Sequence, residues 1–260
     1  MIVDMLFDSH THYDDKKFDN DRDILLASLP EKGIGYVLNV GCGIESTRKS
    51  IEFSKRYDYI YTATGIHPHD ASRAPDGYCA VLEDFFRNEK VVAVGEIGLD
   101  YHYDFSPRDV QKEVFVNHLE LAVKVGKPVI IHNREAHKDV LDIVASYAGS
   151  LRGCVFHCFS GSVETAREVL KMGFYLSFGG AITFKNARRA IEVIEYMPLD
   201  RLLIETDCPY MAPTPHRGER NDSSFIHFVA EKAAEIKNME VTDIISATTD
   251  NAKRLFNITS

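Results

Sequence analysis

The chain has 260 residues, of which 45% are hydrophobic and 27% charged, a composition typical of a globular protein and not of a disordered segment. No apolar run is long enough to cross a bilayer and residues 1–10 lack the basic start of a signal peptide, so we expect a cytoplasmic protein without membrane contact. The net charge of −9 excludes a protein that coats nucleic acid with a basic surface.

Short runs rich in β-forming residues alternate with longer amphipathic stretches along the whole chain. In the stretch 108–126, Phe115 and Leu119 recur at helical spacing, and Gly126 followed by Pro128 predicts where that helix ends. The predicted strands are 4–9, 36–40, 59–65, 91–96, 128–132, 153–157, 174–178 and 201–206.

Eight strands that alternate with helices in a chain of this length predict one α/β domain over residues 1–260, a single (β/α)8 TIM-type barrel. A doubly wound open sheet is the main competitor. That fold more often has a glycine-rich turn after its first strand, whereas here the first strand is followed by the sequence His-Thr-His.

Residue types that bind metals stand at the carboxyl end of one predicted strand after another. The strand ends of a TIM barrel converge on one mouth, where active sites lie. Any one of these side chains alone is readily explained as a hydrogen-bonded core histidine or a capping acid, but buried ionisable groups are costly unless they are paired or bound to metal. The candidates are His10, His12, Glu96, His132, His157 and Asp207.

Strand alternation supports the convergence, because side chains two residues apart share one face of a strand. His10 and His12 should therefore point the same way, and Val94 should share the face of Glu96. Cys154 should then face outward, toward the helices.

The five cysteines are odd in number and scattered, which predicts free thiols and no disulfide framework. Cys154 and Cys158 flank His157, which raises the alternative of a thiolate zinc site. We consider that alternative weak, because no second pair of ligands with matching spacing follows.

Four imidazoles and two carboxylates are enough to hold two divalent metal ions. Glu96 is the best candidate to bridge them, because a carboxylate has two oxygens to share. We predict two divalent ions as cofactors, Zn, Mg or Mn, and the ligand set does not choose among them.

Several motifs, in order and at suitable spacing, resemble the TatD family of metal-dependent deoxyribonucleases, within the amidohydrolase-like superfamily. The resemblance covers nearly the whole chain and implies a cytoplasmic enzyme that hydrolyses DNA with divalent metals, often from the 3′ end. The six candidates match the family's metal ligands position by position. The motifs are FDSHTHYD at 7–14, GIHPH at 65–69, VGEIGLDYH at 94–102, IHNREA at 131–136, FHCFSGS at 156–162 and ETDCPYMAPTPHRGERN at 205–221.

We predict two catalytic residues. Glu96 would hold both ions, and Asp207 would ligate one ion and orient, or accept a proton from, the water that the two metals activate. The predicted substrate contacts lie in loops and strand ends around the same mouth. They are His67, Tyr101, Arg134, Glu205 and Lys185.

The predicted function is therefore cleavage of DNA phosphodiester bonds with low sequence specificity, and the expected partner is DNA. One alternative keeps the site and changes the bond, as in an amidohydrolase-type esterase or a D-aminoacyl-tRNA deacylase. Many such enzymes bridge their metals with a carbamylated lysine, and Glu96 in that place favours the nuclease. A second alternative is a non-catalytic metal-binding scaffold. The oligomeric state is open, and a monomer is compatible with the sequence.

Overall fold

The structure, a computed structural model, describes residues 5–259. Eight parallel strands stand in chain order around a nearly closed barrel, which confirms the predicted fold class. The strands are β1 (Leu6–Thr11), β2 (Ile34–Val40), β3 (Ile60–Thr64), β4 (Val91–Asp100), β5 (Val129–Arg134), β6 (Cys154–Phe156), β7 (Tyr175–Phe178) and β8 (Leu202–Ile204).

The observed strand limits differ from the predicted ones mainly at β1 and β4. Asp4, the predicted start of the first strand, lies outside the described residues, and β1 continues to Thr11. The strand β4 extends to Asp100, four residues beyond the predicted end, because Gly98 to Asp100 continue to pair with β5.

Helices cover the outside of the barrel. The helix α4 spans Arg108–Val125 and ends at Gly126, whose φ of 64° is a conformation that glycine adopts without a steric penalty. Among the described residues, no helix combines the length and apolar character that spanning a membrane requires. The helices of residues 5–259 are α1 (Arg22–Ser28), α2 (Ile44–Arg56), α3 (Tyr78–Phe85), α4, α5 (His137–Tyr147), α6 (Val163–Lys171), α7 (Arg188–Tyr196), α8 (Ile226–Lys237) and α9 (Val241–Phe256).

The barrel closes between β8 and β1 through the segment that follows β8. The N–H of Asp207 donates to the carbonyl of His10 over 3.0 Å, and the N–H of His12 donates to the carbonyl of Cys208 over 2.8 Å. These bonds lie at the carboxyl ends of the strands, so the closure of the barrel also places residues of both segments next to each other at its mouth.

The core has an outer layer between strands and helices and an inner layer inside the barrel, where Phe7 packs on Phe256 of α9. Cys154 lies in the outer layer, as predicted. The prediction for Val94 is wrong, because Val94 also lies in the outer layer. Between Val94 and Ile97 the strand β4 has an additional residue opposite β5, which breaks the alternation between Val94 and Glu96.

A buried histidine of α4 should make the stability depend on pH. His118 accepts the N–H of Ile66 and donates to the carbonyl of Val114, and burial lowers its pKa from 6.5 to about 4. The folded protein therefore binds this proton less well than the unfolded chain does. The resulting stability is complete above pH 6.5 and is lost as the pH falls toward 4, by roughly 2 kcal/mol at pH 5.

Denaturant unfolding of the metal-free protein between pH 8 and pH 5 measures this loss. The His118→Gln variant, which has no titrating imidazole at this position, should lose about 2 kcal/mol less than the wild type over that interval. Equal losses in the two proteins would contradict the role given to His118.

Candidate metal centre

The structure brings all six predicted ligand side chains together at the carboxyl ends of the strands. Two histidines come from the end of β1, one from β5, and the others follow β6 and β8. Glu96 is an exception to the strand-end rule, because it lies inside β4, four residues before its end. The six side chains are those of His10, His12, Glu96, His132, His157 and Asp207.

The first group of donor atoms lies around one oxygen of Glu96. Glu96 Oε2 is 3.4 Å from His10 Nε2 and 3.6 Å from His12 Nε2. The two Nε2 atoms are 3.1 Å apart. Asp207 Oδ1 lies 3.4 Å from His12 Nε2 and 4.0 Å from His10 Nε2. Donor atoms that share a tetrahedral ion with bonds of about 2.1 Å lie roughly 3.4 Å apart. The spacing of this group therefore fits one divalent ion.

The second group surrounds the other oxygen of the same carboxylate. Glu96 Oε1 lies 2.7 Å from His132 Nδ1 and 2.7 Å from His157 Nε2, and these two nitrogens are 3.4 Å apart. His67 Nε2 is 3.4 Å from the same oxygen. His67 was predicted as a substrate contact, but its position is also that of a ligand, and His67, Glu96 and His132 form one of the sets whose geometry suits a metal.

Other polar groups orient the imidazole rings. His12 Nδ1 lies 3.0 Å from the carbonyl of Val40, and His132 Nε2 lies 3.0 Å from Asp100 Oδ2. Such contacts on the far nitrogen fix the tautomer of a histidine ligand and leave the near nitrogen free for the metal. Asp100 was not among the predicted residues, although its motif GLDYH was noted.

Glu205 has a supporting place behind the second group. Its side chain is fully buried, and its oxygens accept from the N–H of Cys158 over 2.7 Å and from the hydroxyl of Ser177 over 2.6 Å. His157 Nδ1 lies 3.5 Å from Glu205 Oε1, too long for a good hydrogen bond. Within the described residues this buried nitrogen has no hydrogen-bond partner, and neither has His10 Nδ1.

Burial and the attraction between Glu96 and the imidazoles have opposite effects on the pKa values of the centre. Burial by itself would raise the pKa of Glu96, but the surrounding imidazoles hold it well below its usual value. Burial lowers the pKa of His67 to about 4 and also lowers that of His10. Those two rings are therefore neutral near pH 7, and a neutral ring has a nitrogen lone pair to offer a metal.

Asp207 reaches the cluster through an unusual backbone conformation. Its φ is 56°, a left-handed value that non-glycine residues seldom adopt and that Asp tolerates better than most. Cys158, directly after His157, has a φ of 42°. Both turns lie where the chain leaves a strand, and sparsely populated backbone conformations of this kind cluster at functional sites.

Of the two thiols that the sequence suggested, Cys158 lies near the centre and Cys154 does not. Cys154 is buried in the outer layer, away from the ligands. Cys42 Sγ lies 3.7 Å from Glu96 Oε2, and Cys158 Sγ lies 3.8 Å from Asp207 Oδ2. Burial raises the pKa of Cys42 to about 11 and that of Cys158 further still, so both thiols are neutral near pH 7. All five cysteines are free, as predicted.

The remaining predicted substrate contacts divide into two kinds. The Tyr101 hydroxyl donates to Asp139 over 2.7 Å, so the side chain points toward α5. Glu205 is fully buried. Neither position supports direct contact with substrate. Lys185 is exposed on the loop after β7, and Arg134 is exposed at the end of β5. The last two are free to reach a ligand at the mouth.

A cavity of about 700 Å³ opens beside the cluster. Cys158 lies on its wall next to Asp207, and the aromatic rings of Phe178 and Phe184 form part of its lining. Arg188 and Arg189 add two positive charges to this lining. The candidate metal centre therefore borders a cavity whose walls are partly aromatic and partly cationic.

Comparison with known proteins gives matches over nearly the full length. A sequence model of the TatD related DNase family matches residues 7–257. The "Uncharacterized metal-dependent hydrolase YabD" of Bacillus subtilis (strain 168) is 47% identical over 254 residues, covering 98% of this chain and 100% of YabD. The "3'-5' ssDNA/RNA exonuclease TatD" of Cronobacter sakazakii is 34% identical, covering 96% of this chain and 97% of that protein. The crystal structure of YJJV, a TatD homolog from Escherichia coli K12, has a TM-score of 0.92 at 30% identity and covers 100% of both chains.

Proposed function

The chain belongs to the TatD family of metal-dependent hydrolases, and from this premise we propose that it cleaves DNA phosphodiester bonds as a 3′–5′ exonuclease. The observation that carries the proposal is the division of the Glu96 carboxylate between two groups of donor atoms, one at each oxygen. Such an arrangement suits two divalent ions side by side, as in the two-metal sites of phosphatases and nucleases.

The residues that would hold the ions follow from the two groups. His10, His12 and Asp207 would complete one site, and His132 and His157 the other, with Glu96 common to both. His67 is a further ligand of the second site or a contact to the substrate phosphate. Divalent ions bound there would neutralise charge on the phosphate and lower the pKa of an attacking water.

Asp207 is the ligand best placed to handle a proton. Its side chain is 16% exposed, whereas Glu96 is enclosed by histidines. Burial by itself would raise the pKa of Asp207, but the neighbouring His12 lowers it, so the carboxylate is ionised at neutral pH. An ionised carboxylate at the mouth can orient water and accept its proton.

Positive charge at the mouth offsets the acidic character of the whole chain, whose net charge is −9. Arg188 and Arg189 line the cavity, and Arg217 stacks on Phe184 with its guanidinium carbon 4.0 Å from the ring centre. Arginine forks suit phosphate oxygens. Contacts to metal and to phosphate carry no base information, so we expect low sequence specificity.

A substrate panel with separately loaded Mg²⁺, Mn²⁺ and Zn²⁺ tests the proposal. A single-stranded oligonucleotide labelled at its 5′ end should yield a ladder that shortens one nucleotide at a time, and a 3′ label should be released at once as a mononucleotide. Chelation with EDTA should abolish both. No nucleotide release with any metal would overturn the proposal.

The same panel separates the alternatives. Release of the amino acid from D-aminoacyl-tRNA, without DNA cleavage, would identify a deacylase that uses the same centre. Bound metal without hydrolysis of any substrate in the panel would favour the non-catalytic metal-binding scaffold. DNA as the partner, the monomeric state, the cytoplasmic location and the assignment of residues 1–260 to one domain stay predictions.

A further inference from the structure

Two aromatic side chains lie exposed in the loop between β4 and α4, next to the candidate metal centre. Tyr103 is 46% exposed and Phe105 is 66% exposed. Their ring centres are 5.3 Å apart and their planes are inclined by 26°. Aromatic rings contribute most to stability when they are buried, so the core does not account for a stacked pair that faces solvent.

The loop that carries this Tyr103–Phe105 pair is anchored at both ends. The N–H of Tyr103 donates to Asp100 Oδ1 over 2.9 Å. The hydroxyl of Ser106 donates to the carbonyl of His69 over 2.9 Å, and Gln111 of α4 donates to the carbonyl of Ser106 over 2.8 Å. The pair therefore has a defined position relative to the barrel, which lowers the entropy lost when a ligand binds it.

A short chain of contacts joins the pair to the metal centre. The His69 ring lies 4.9 Å from Phe105 and 5.2 Å from Tyr103, measured between ring centres. His69 Nε2 is 2.9 Å from Asp100 Oδ2, which in turn lies 3.0 Å from His132 Nε2. Two side chains thus separate the exposed rings from a histidine of the second donor group.

A positive charge accompanies the exposed rings. The guanidinium carbon of Arg134 lies 4.8 Å from the centre of the Tyr103 ring, within the range of a cation–π contact. Aromatic faces next to cations are how proteins bind single-stranded nucleic acid, because bases stack on the rings while phosphates meet the charge.

Resting on the proposed function, we propose that the Tyr103–Phe105 pair is a stacking platform for an unpaired base of the substrate strand, with Arg134 at the adjacent phosphate. The platform places a base beside the metal centre and makes the enzyme selective for strands whose bases are free. Bases inside a duplex have both faces covered by stacked neighbours, so they gain nothing from this surface.

The test is a double variant, Tyr103→Leu with Phe105→Leu, which keeps apolar bulk and removes both aromatic faces. On a single-stranded oligonucleotide its KM should rise about 10-fold, equivalent to about 1.4 kcal/mol, with little change in kcat. With an oligonucleotide that has abasic sites at its 3′ end, the KM of the wild type should rise by a similar factor. The KM of the double variant should be the same for the abasic and the normal strand. Tyr196→Leu is the matched control. Tyr196 lies on α7, is 45% exposed, and has the guanidinium carbon of Arg167 5.5 Å from the centre of its ring.

A binding measurement separates the platform from the reaction. An oligonucleotide with 2-aminopurine near its 3′ end and cleavage-resistant phosphorothioate linkages should lose fluorescence on the wild type and on Tyr196→Leu, but not on the double variant. Quenching without any DNA hydrolysis by the wild type would overturn the proposed function and keep the platform. Hydrolysis accompanied by equal quenching with all three proteins would overturn the platform. The platform would also be overturned if the double variant raised KM, relative to the wild type, by the same factor on normal and on abasic strands.

Discussion

Replacing Glu96 with glutamine should abolish most of the DNA hydrolysis and reduce the metal content. Glu96 presents Oε2 to one group of donor atoms and Oε1 to the other, and glutamine keeps the size of the side chain but offers one neutral oxygen and an NH₂ group, which cannot ligate a cation. We expect kcat/KM to fall by about 10³-fold or more, a loss of about 4 kcal/mol of transition-state stabilisation. Metal bound per chain should fall from about two ions to one or fewer.

Elemental analysis of the loaded proteins and a kinetic assay on single-stranded DNA measure both effects. Glu89→Gln is the matched control, since Glu89 is exposed just before the start of β4, at the other end of the strand that carries Glu96. The control should keep both ions and full activity. A Glu96→Gln protein with two ions and unchanged kcat/KM would refute the bridging role.

Replacing Asp207 with asparagine should lower the rate much more than it lowers metal binding or substrate affinity. Asparagine has the same shape and also tolerates the left-handed backbone at this position, where φ is 56°. It lacks the charge needed to orient water and take up a proton. We expect kcat to fall by about 10²- to 10⁴-fold, the usual contribution of general acid–base catalysis, while KM changes by less than about threefold.

The metal content distinguishes this variant from the one at Glu96. The histidines that Asp207 approaches within 4.0 Å, His10 and His12, both belong to the first donor group, so the second donor group should keep its ion in Asp207→Asn. Asp200→Asn is the matched control, because Asp200 lies just before β8 and is paired with the neighbouring Arg201. A parallel loss of kcat and of both ions would show that Asp207 acts through the integrity of the whole centre.

The barrel and the candidate ligands could be predicted from local features of the sequence. Alternation of short β-rich runs with amphipathic stretches reports on which segments form strands and helices, and a polar residue at the end of a buried strand is conspicuous. These features led to the eight strands and to the six ligand candidates. The predicted strand ended at Glu96, whereas β4 continues to Asp100 through its pairing with β5, which is why Asp100 was missed.

The alternation rule itself was correct only where the strand is regular. It placed Cys154 in the outer layer, as observed, but it failed for Val94, because β4 has an additional residue opposite β5 between Val94 and Ile97. Such a bulge depends on how two strands pair, and a single strand read alone contains no sign of it.

By itself the sequence determined the fold class, the family and the set of six ligand candidates, because each of these follows from residue type and spacing along the chain. Only the tertiary structure decided how the two oxygens of Glu96 are divided, that His67 joins the second group, and that Glu205 is buried behind His157. It also placed the Tyr103–Phe105 pair beside the centre. These relations are distances of a few ångströms between side chains that lie up to about 200 residues apart, and they come into being only when the barrel closes.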